Sequence, residues 1–521
     1  MRFPGCAGGV VLVLASAAGA GQEAEKIDLG PILQKLGVVL RVADRPAWPK
    51  PGRTRLEVTL VPQAAEPSEA VASFGLPFGP GVLDDHKRIR VTSPDGKEVP
   101  AFTKPLARWW LDGKKGSLRS VLVQFEMPFG GKGPQKVSIT WDQPPARSRR
   151  QMTPVADTQV RQTGEGFVFH CPKVLALLPP RWLCRSLVAG RQVPAEDNRA
   201  APWFDKHLVE KFPASLRNIA TKSVEAHLFD RPATYARIYV RHGQAKHLLA
   251  ALQAGDFYVQ NLTPDGFFRL KGRDHKYTYA EGSAILYMLT GDERFRDAVG
   301  RAVQCWQTWR RIEYTGRGFW TERHMAAGMG AFVHGYEISG DAALLPKARR
   351  YFDAVFGLQV KPPDGKPPDG AWVHTAASHG DGNGWTTSPW MSALLTDSIW
   401  KLWMITGDER CAASLAMYAK FLEKHAVTPD GRGVYYMANS PGRGKSVNPE
   451  CPPHNMEACY LLAMGYYLSG GTDAGLVKKI QTLWPPIMKD GANRPGRKFN
   501  WRFRQTPMLI WFLQNARAAG R

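Results

Sequence analysis

The segment 287–294 reads YMLTGDER, and MITGDER returns at 404–410. Weaker copies of the same string are EISGD at 337–341 and YLSGG at 467–471. In each copy an apolar run ends at a glycine that can adopt the left-handed C-cap of a helix, and an Asp or Thr close behind it can cap the next helix. The glycines of successive copies lie 49 to 67 residues apart. The string therefore predicts a helical hairpin that is repeated along the chain.

Two further apolar periodic segments, at about 233–262 and 505–518, extend this series to five or six hairpins. Hairpin repeats bury their apolar faces against one another, and they stack either into a closed ring or into an open solenoid. We predict a closed (α/α) toroid over residues 207–521. An open solenoid is the alternative.

Residues 41–145 differ from the helical part, because apolar and polar residues alternate there with a period of two. Arg55 to Val61 and Val121 to Phe125 are examples, and turns such as SPDG at 93–96 separate them. This spacing predicts a small β-barrel or sandwich. Residues 146–206 are rich in Pro and Arg, which indicates a linker or a reduced β segment. The predicted fold class is therefore α+β and multidomain, with a β-barrel or sandwich followed by the helical toroid.

Residues 1–22 have the pattern of a secretory signal peptide. Arg2 is followed by an apolar run from Val10 to Ala18 and by small residues before the acidic Glu23. No later segment supplies eighteen uninterrupted apolar residues, so we predict no membrane span. The expected location is secreted or periplasmic.

Removal of this signal leaves six of the seven cysteines. An even number in an exported protein permits disulfides, and Cys171 and Cys184 are close enough in sequence to close a short loop. Cys305 and Cys411 lie inside helical patterns, and such positions fit a buried free thiol at least as well as a disulfide.

The charge balance indicates the kind of partner. Lys and Arg number 69 against 46 Asp and Glu, which gives a formal net charge of +23 and an attraction to polyanions. The basic residues are scattered, without zinc-finger spacing or an RNA-binding aromatic signature, so we expect an acidic polysaccharide and no nucleic acid. The sequence indicates no required cofactor and no metal site, and calcium bridging an acidic sugar is compatible with it. It leaves the oligomeric state open.

Four pieces of the β region stand in a characteristic order: SFGLPFGPG at 73–81, RVTSPDGKEVP at 90–100, PLARW at 105–109 and SLRSVLVQF at 117–125. This order resembles the N-terminal RIFT-barrel-like domain of the exo-rhamnogalacturonan lyase family, polysaccharide lyase family 26. The predicted toroid is similar in kind to that family's C-terminal domain and to the six-hairpin glycosidases. The resemblance implies a lyase that acts on a pectin-like, rhamnogalacturonan-type glycan. The family's middle β-sandwich has no room here, since the interval before the helices is too short.

Polar and aromatic residues gather directly before the apolar helices that end in the repeat turns. The inner helices of a hairpin ring are parallel, so the loops that feed them share one rim, where we expect a cleft. For any single residue a helix cap or a packed side chain is the alternative. The candidates are Asp274, His275, Tyr277, Tyr279 and Glu281; Trp320, Glu322, Arg323 and His324; His379, Trp385 and Trp390; and His454, Asn455 and Glu457.

These residue types suit β-elimination beside a uronate, which needs a group to neutralise the carboxylate, a base and an acid. Histidine suits the base because it titrates near working pH. The predicted catalytic residues are Arg323 and Asn455 for the carboxylate, His324 or His454 as base, Tyr277 or Tyr279 as acid, and Glu281.

Two other functions stay open on sequence grounds. A glycoside hydrolase of the same architecture would use paired carboxylates, and a carbohydrate-binding protein would use the rim for affinity alone. The spacing of Trp385 and Trp390 also fits simple packing along a helix. The available carboxylates are Glu281, Glu322, Asp381 and Glu457, and the predicted substrate contacts are Trp320, Glu322, His379, Trp385, Trp390, Glu457, Asp274 and His275.

Overall fold

The fold is that of a computed structural model of the chain. Trp320, His379 and Asp381 lie outside the residues that the structure describes, as does most of the predicted signal peptide. The structure describes residues 11–13, 26–49, 52, 54–63, 69–129, 133–148, 151–164, 166–217, 219–220, 227–310, 312, 321–375, 384–450, 454–489 and 495–519.

The N-terminal part is built from antiparallel strands. Its strands are β1 (Val11–Val13), β2 (Lys26–Asp28), β3 (Arg55–Pro62), β4 (Glu69–Pro77), β5 (Arg90–Thr92), β6 (Glu98–Val99), β7 (Ala101–Leu111), β8 (Lys114–Pro128), β9 (Gln135–Thr140), β10 (Gln159–Gly164), β11 (Phe167–Pro172) and β12 (Val174–Leu177). One sheet has the order β12-β3-β9-β5-β6, a second has the order β4-β8-β7, and β1-β2 and β10-β11 are separate pairs. The segment 146–206 therefore contributes a hairpin and an edge strand of the larger sheet.

The period-two pattern of β3 explains how the larger sheet buries one face. Leu56, Val58 and Leu60 are buried, whereas Arg55 and Glu57, which alternate with them along the strand, are exposed. Side chains of a strand alternate between its two faces, so this strand has one face in the core and one in solvent. Strand β12 packs against β4 and so joins the two sheets around a common core.

The C-terminal part is helical, with four short strands in its loops. The helices of the whole chain are α1 (Gly30–Leu36), α2 (Pro180–Ser186), α3 (Pro202–Leu216), α4 (Arg231–His242), α5 (Ala245–Gln260), α6 (Glu281–Thr290), α7 (Glu293–Gln307), α8 (Glu322–Ser339), α9 (Leu344–Val360), α10 (Pro389–Thr406), α11 (Glu409–Phe421), α12 (Asn455–Leu468), α13 (Ala474–Met488), α14 (Pro495–Phe503) and α15 (Met508–Ala519). The loop strands are β13 (His374–Thr375), β14 (Trp385–Thr386), β15 (Val434–Met437) and β16 (Val447–Glu450).

The inner helices form a ring. Helices α4, α6, α8, α10 and α12 contact one another in that order, and each is followed by an antiparallel outer partner, α5, α7, α9, α11 or α13. Helix α14 contacts both α12 and α4, and α3 packs outside α14. The contact of α14 with α4 closes the ring. The predicted α+β fold with a closed toroid is confirmed, and the open-solenoid alternative is wrong.

The repeat turns have the predicted capping chemistry. Gly291, Gly340 and Gly407 end α6, α8 and α10 with φ of 70°, 70° and 67°, and each N–H donates to the carbonyl four residues earlier. Asp292 and Asp408 cap α7 and α11 by accepting the N–H two residues ahead. Glycine adopts this left-handed conformation without the steric cost of a Cβ, which is why the string ends α6, α8 and α10. The fourth copy differs, since the C-cap of α12 is Ser469.

The β domain covers the C-terminal ends of the inner helices. The last turns of these helices carry carbonyls without intrahelical donors, and the β domain supplies donors or charged partners there. The β domain makes one contact at each of three helices: Ser120 Oγ donates to Met288 O at 2.6 Å, Arg119 pairs with Glu337 at 2.6 Å, and Asp112 N donates to Ile405 O at 2.8 Å. At a fourth helix, Val42 N, from the segment before the β domain, donates to Leu468 O at 3.0 Å. This end of the ring, called below the sealed end, is closed by protein.

The structure bears on the sequence predictions about disulfides and membrane spans. Cys171 and Cys184 are buried free thiols, so the disulfide considered between them is not formed; each Sγ instead donates to a backbone carbonyl. Cys305 and Cys411 are also free and buried. Among the described helices, none has the length and apolarity that a bilayer crossing requires.

Candidate active site at the open end of the toroid

The N-terminal ends of the inner helices lie together at the end opposite the β domain. Arg323, in the first turn of α8, lies over the ring of Trp390 at the start of α10, 5.9 Å from its centroid. His454, directly before α12, stacks on the same ring at 4.9 Å and 11°. The structure thus brings three of the four predicted clusters onto one surface, called below the rim, and Tyr279 before α6 lines the same cavity as Arg323.

Arg323 is the cation of the rim. Among the residues that the structure describes, no carboxylate pairs with its guanidinium, and its Nε is buried without a hydrogen-bond partner. Burial lowers its pKa, because solvation of the charged form is lost. A desolvated guanidinium without a counterion is suited to bind the carboxylate of a ligand, since a paired arginine would already be neutralised.

His454 and Glu457 form a pair at the start of α12, and His454 shares the ring of Trp390 with Arg323. Glu457 is three residues further along α12, and its Oε1 lies 3.4 Å from His454 Nδ1. Both side chains are buried, and the imidazole is held between Trp390 and Trp501. A carboxylate at Nδ1 favours the tautomer in which Nε2 is the basic nitrogen. Among the described residues Nε2 has no hydrogen-bond partner, and the pair has the form of an oriented general base.

His324, the other predicted base, lies in a different environment. It is 1% exposed, its Nδ1 is 2.8 Å from Thr321 Oγ1, and its ring stacks on Trp309 at 5.1 Å and 11°. Burial, and then the charge of Arg323, lower its pKa well below the ordinary value of histidine. The structure thus places His324 as a packed side chain that joins the end of α7 to the start of α8.

Asn455 and the two predicted tyrosines hold the loops of the rim. Asn455 Nδ2 donates to the carbonyls of Arg432 and Leu483 at 2.8 and 2.9 Å. The Tyr279 hydroxyl donates to Lys276 O at 2.6 Å and accepts from Phe229 N at 3.1 Å, and burial raises its pKa. Tyr277 is buried and stacks on Phe268. The Nδ2 of Asn455 and the hydroxyl of Tyr279 are thus used by the fold, whereas Asn455 Oδ1 is buried without a hydrogen-bond partner among the described residues.

Glu281 belongs to a buried charge cluster on the axis of the ring. It contacts Arg237, Lys401 at 2.5 Å and Arg504 at 2.6 Å, and Asp397 contacts the same three cations. Burial alone would raise the pKa of Glu281, but these cations hold this pKa well below its ordinary value. The cluster ties α4, α6 and α10 to the segment after α14. Glu281 is therefore an ionised structural residue and not a proton donor.

Glu322 is likewise committed to the fold. Its Oε1 accepts from His374 Nδ1 at 3.1 Å, from Thr387 Oγ1 at 2.8 Å and from Ser388 N at 2.8 Å. These bonds fasten the start of α8 to the loop before α10. A carboxylate with this many donors is an anchor for the rim loops.

The remaining predicted contacts are mostly packed. Trp390 is 2% exposed and has His454 on its face, so it supports the rim instead of presenting a ring to a sugar. Trp385 is half-buried in β14. Asp274 caps the short helical turn before α6 and pairs with Lys276 at 3.0 Å. His275 lies against Trp306 and Trp309, with Nε2 3.1 Å from Thr308 Oγ1.

Asp230 is a rim residue that the motif search missed. It precedes α4 with φ of 52°, after Phe229 with φ of 78°, and left-handed backbone is costly for both residue types. Its carboxylate accepts from Ala233 N at 3.2 Å and Gly282 N at 3.0 Å, and burial raises its pKa. It lines the same cavity as Arg323. The signal was present, because Asp before Arg-Pro at 231–232 is a helix-start pattern.

The cavity beneath Arg323 is small. Its volume is about 10 Å³, which is room for about one water, and Asp230, Tyr279, Glu281 and Arg504 line it. A sugar ring does not fit on the axis of the toroid. A saccharide at this end would lie across the rim, above Arg323 and His454. Among the described residues there is no group of three or more His, Cys, Asp or Glu arranged to hold a metal ion.

Fold and site together define the class: a β domain joined to a closed (α/α) toroid, with charged residues at the open end. The sequence matches no family model and no curated protein. Among solved structures, the chain is similar to a glycosyl hydrolase family 88 protein from Bacteroides vulgatus, with 11% identity and a TM-score of 0.45 over 60% of this chain and 100% of that one. It is also similar to a polysaccharide lyase, with 11% identity and a TM-score of 0.43 over 60% of this chain and 98% of that one. A third similar structure is cellobiose 2-epimerase from Bacillus thermoamylovorans, with 13% identity and a TM-score of 0.39 over 56% of this chain and 87% of that one. Scores and identities this low carry no argument about activity.

Proposed function

We propose that this protein is a polysaccharide lyase that cleaves an acidic, pectin-like glycan by β-elimination at the rim. The observation that carries the proposal is the placement of Arg323 and the His454–Glu457 pair against one tryptophan, Trp390. A cation without a counterion and an oriented imidazole are the two groups that elimination beside a carboxylate requires.

The reaction assigns one task to each group. Arg323 binds the uronate carboxylate and stabilises the negative charge that develops on it. His454 Nε2 removes the proton at C5 of the uronate, and Glu457 stabilises the imidazolium that results. The electron pair of that C–H bond forms the C4–C5 double bond, and the C4–O bond breaks. The leaving oxygen takes up a proton, so water is not consumed.

Tyr436 is the residue best placed to supply that proton. It lies on β15, half-buried, with its ring 5.7 Å from Trp390 and 6.2 Å from His454. Tyrosine can donate a proton to a departing alkoxide in the transition state. The sequence search passed over Tyr436 because it belongs to a loop strand and not to a helix start.

The acidic nature of the substrate is supported by charge. The chain carries a formal +23, which favours association with a polyanion, and Arg323 gives that attraction a local target. A rhamnogalacturonan-type glycan and a secreted or periplasmic location complete the proposal, and they rest on the sequence resemblance and the N-terminal pattern.

One observation favours a glycoside hydrolase as the second candidate. Asp230 has a raised pKa, caused mainly by burial, and it lines the cavity of Arg323. Glycoside hydrolysis needs a general acid, and a raised pKa suits a carboxyl group to that role. Glu281 and Glu322 do not fill that role, since ion pairs and hydrogen bonds hold both as anions.

The deciding experiment follows two products from a panel of acidic polysaccharides. Unsaturated uronate ends, detected by ultraviolet absorbance, are expected together with reducing ends, and Arg323→Ala is expected to abolish both signals. Arg161→Ala, which removes an exposed arginine on β10, is the matched control and should retain wild-type rates. Reducing ends without absorbance would replace the lyase by the hydrolase. Binding without either product would leave a carbohydrate-binding protein.

A further inference from the structure

A second arginine without a counterion lies at the sealed end of the toroid. Arg191 is 5% exposed, and its guanidinium lies over the rings of Trp48 and Trp511, at 5.5 and 4.9 Å from their centroids. Its Nη2 donates to the carbonyls of Pro46 and Ala47 at 2.8 and 2.9 Å. The side chain is therefore fixed in place by two rings and two backbone acceptors.

The charge of Arg191 is not balanced by any carboxylate that the structure describes. Its Nε is buried without a partner, and burial lowers its pKa to about 10. The buried Arg237 and Arg504 differ, because both contact Glu281 and Asp397. A buried guanidinium without an anion is costly, and an anion that reached it would recover part of that cost.

An open groove adjoins this arginine. It measures about 600 Å³ and runs between residues 41–49 and helix α15. Three arginines, Arg41, Arg45 and Arg191, line it together with one acidic residue, Asp44. Arg45 is already paired with Asp112 at 2.5 Å, which leaves Arg41 and Arg191 as the cations for a ligand. Arg191 lines this groove, and its Nη1 makes no hydrogen bond to a described residue, since both of its hydrogen bonds are made by Nη2.

The rest of the lining suits a sugar. Half-buried Trp511 provides an apolar edge for C–H groups, and Asn515, whose Nδ2 donates to Trp511 O at 2.8 Å, provides its amide oxygen as an acceptor for hydroxyl groups. We propose that this groove is a second saccharide-binding site, which binds a carboxylate-bearing sugar through Arg191 and Arg41. It carries no chemistry, and it lies on the opposite end of the ring from the rim.

The test measures binding by calorimetry in the full chain carrying Arg323→Ala, so that the rim no longer competes for the carboxylate. Oligomers of galacturonate are the probe, and neutral cello-oligosaccharides are the uncharged comparison. In this background Ala518→Glu adds a negative charge on the exposed last turn of α15, inside the groove. Val209→Glu adds the same charge on α3, at a side chain 54% exposed, and serves as the matched control.

We expect galacturonate oligomers to bind the Arg323→Ala protein and cello-oligosaccharides not to bind. Ala518→Glu should raise the Kd at least about fivefold, because like charges at short range repel, and Val209→Glu should change it by less than about twofold. Arg41→Ala, at an exposed position, should weaken binding in the same direction. Absence of binding in this background, or equal affinity in Ala518→Glu and Val209→Glu, would overturn the site. Equal affinity for inorganic phosphate would overturn the saccharide assignment. None of these outcomes depends on product formation by the wild type.

Discussion

The two ends of the toroid treat polar groups in opposite ways. At the sealed end, the β domain donates to the carbonyls of Met288 and Ile405, and Glu337 is paired with Arg119. At the rim, Arg323 has no counterion among the residues that the structure describes, and Asp230 has a left-handed backbone. Satisfied polar groups stabilise a fold, whereas unsatisfied or strained ones cost stability and persist where they serve a ligand. This difference supports the rim as the candidate active site, and the exception at the sealed end is Arg191, which lines the proposed saccharide groove.

The largest effect is expected from the charge cluster that separates the two ends. Glu281→Gln leaves Arg237, Lys401 and Arg504 with one carboxylate fewer, and loss of one partner from a buried ion cluster costs about 3–5 kcal/mol. Chemical denaturation should show this loss in the free energy of unfolding. Glu57→Gln, which removes an exposed pair with Lys136, should cost less than about 0.5 kcal/mol. A similar small loss in both variants would show that the cluster does not hold the ring together.

The sealed end should respond to acid through Glu337. Burial alone would raise the pKa of Glu337, but Arg119 and His334 lower this pKa from 4.5 to about 2. Because the folded-state pKa lies below the unfolded-state value, ionised Glu337 stabilises the protein above about pH 4.5, and this contribution is lost as the pH falls toward about 2. The change amounts to about 3 kcal/mol.

Denaturation of wild type and Glu337→Gln over a series of pH values measures this contribution. The difference between the two free energies of unfolding should shrink as the pH falls through this window. A difference that stays constant with pH would mean that the pairing with Arg119 does not lower the pKa in the folded state.

Within the rim, the two histidines should behave differently. His454→Ala removes the proposed base and should lower kcat for unsaturated product about 100-fold or more. His324→Ala removes a packed ring, so it should lower the free energy of unfolding while kcat changes by less than about tenfold. Initial rates and thermal unfolding of both variants separate the two cases. The reverse pattern would transfer the role of base to His324.

The smallest effect concerns an ion pair at the edge of the sealed end. Arg45 and Asp112 are 2.5 Å apart, but their side chains are 24% and 45% exposed. Arg45→Ala should therefore cost only about 0.5–1 kcal/mol in denaturation experiments. Lys97→Ala, at a side chain 83% exposed, is the matched control and should cost nothing measurable. A loss above about 2 kcal/mol for Arg45→Ala would show that docking of the β domain depends on this pair.

Local chemistry explains what could be predicted from the sequence. The glycine and aspartate of each repeat turn act within a few residues, so Gly291 and Asp292 disclose a helix end and a helix start by themselves. The alternation in β3 is equally local. Four such turns were enough to predict the toroid, and with it the gathering of Arg323 and His454 at one end.

Contacts between distant segments explain what could not be predicted. Asn455 and Tyr279 have the residue types of a site, yet Asn455 Nδ2 donates to the carbonyl of Leu483 in another helix and the Tyr279 hydroxyl donates to the carbonyl of Lys276. The exact residue at which a helix begins decides which side chains face the rim. A sequence motif does not specify that residue. Tyr436 was missed for the same reason, since only the folded loop brings it to Trp390.

The sealed end also has a consequence for biosynthesis. Residues 55–177 form the β domain and leave the ribosome before any helix of the ring, and domains generally fold in that order. The first inner helices, α4 and α6, therefore meet a surface that is already made, and Ser120 can bond to Met288 as soon as α6 ends. Helix α14, whose contact with α4 closes the ring, is synthesised almost last. The β domain is thus expected to act as a template on which the ring is built up one hairpin at a time.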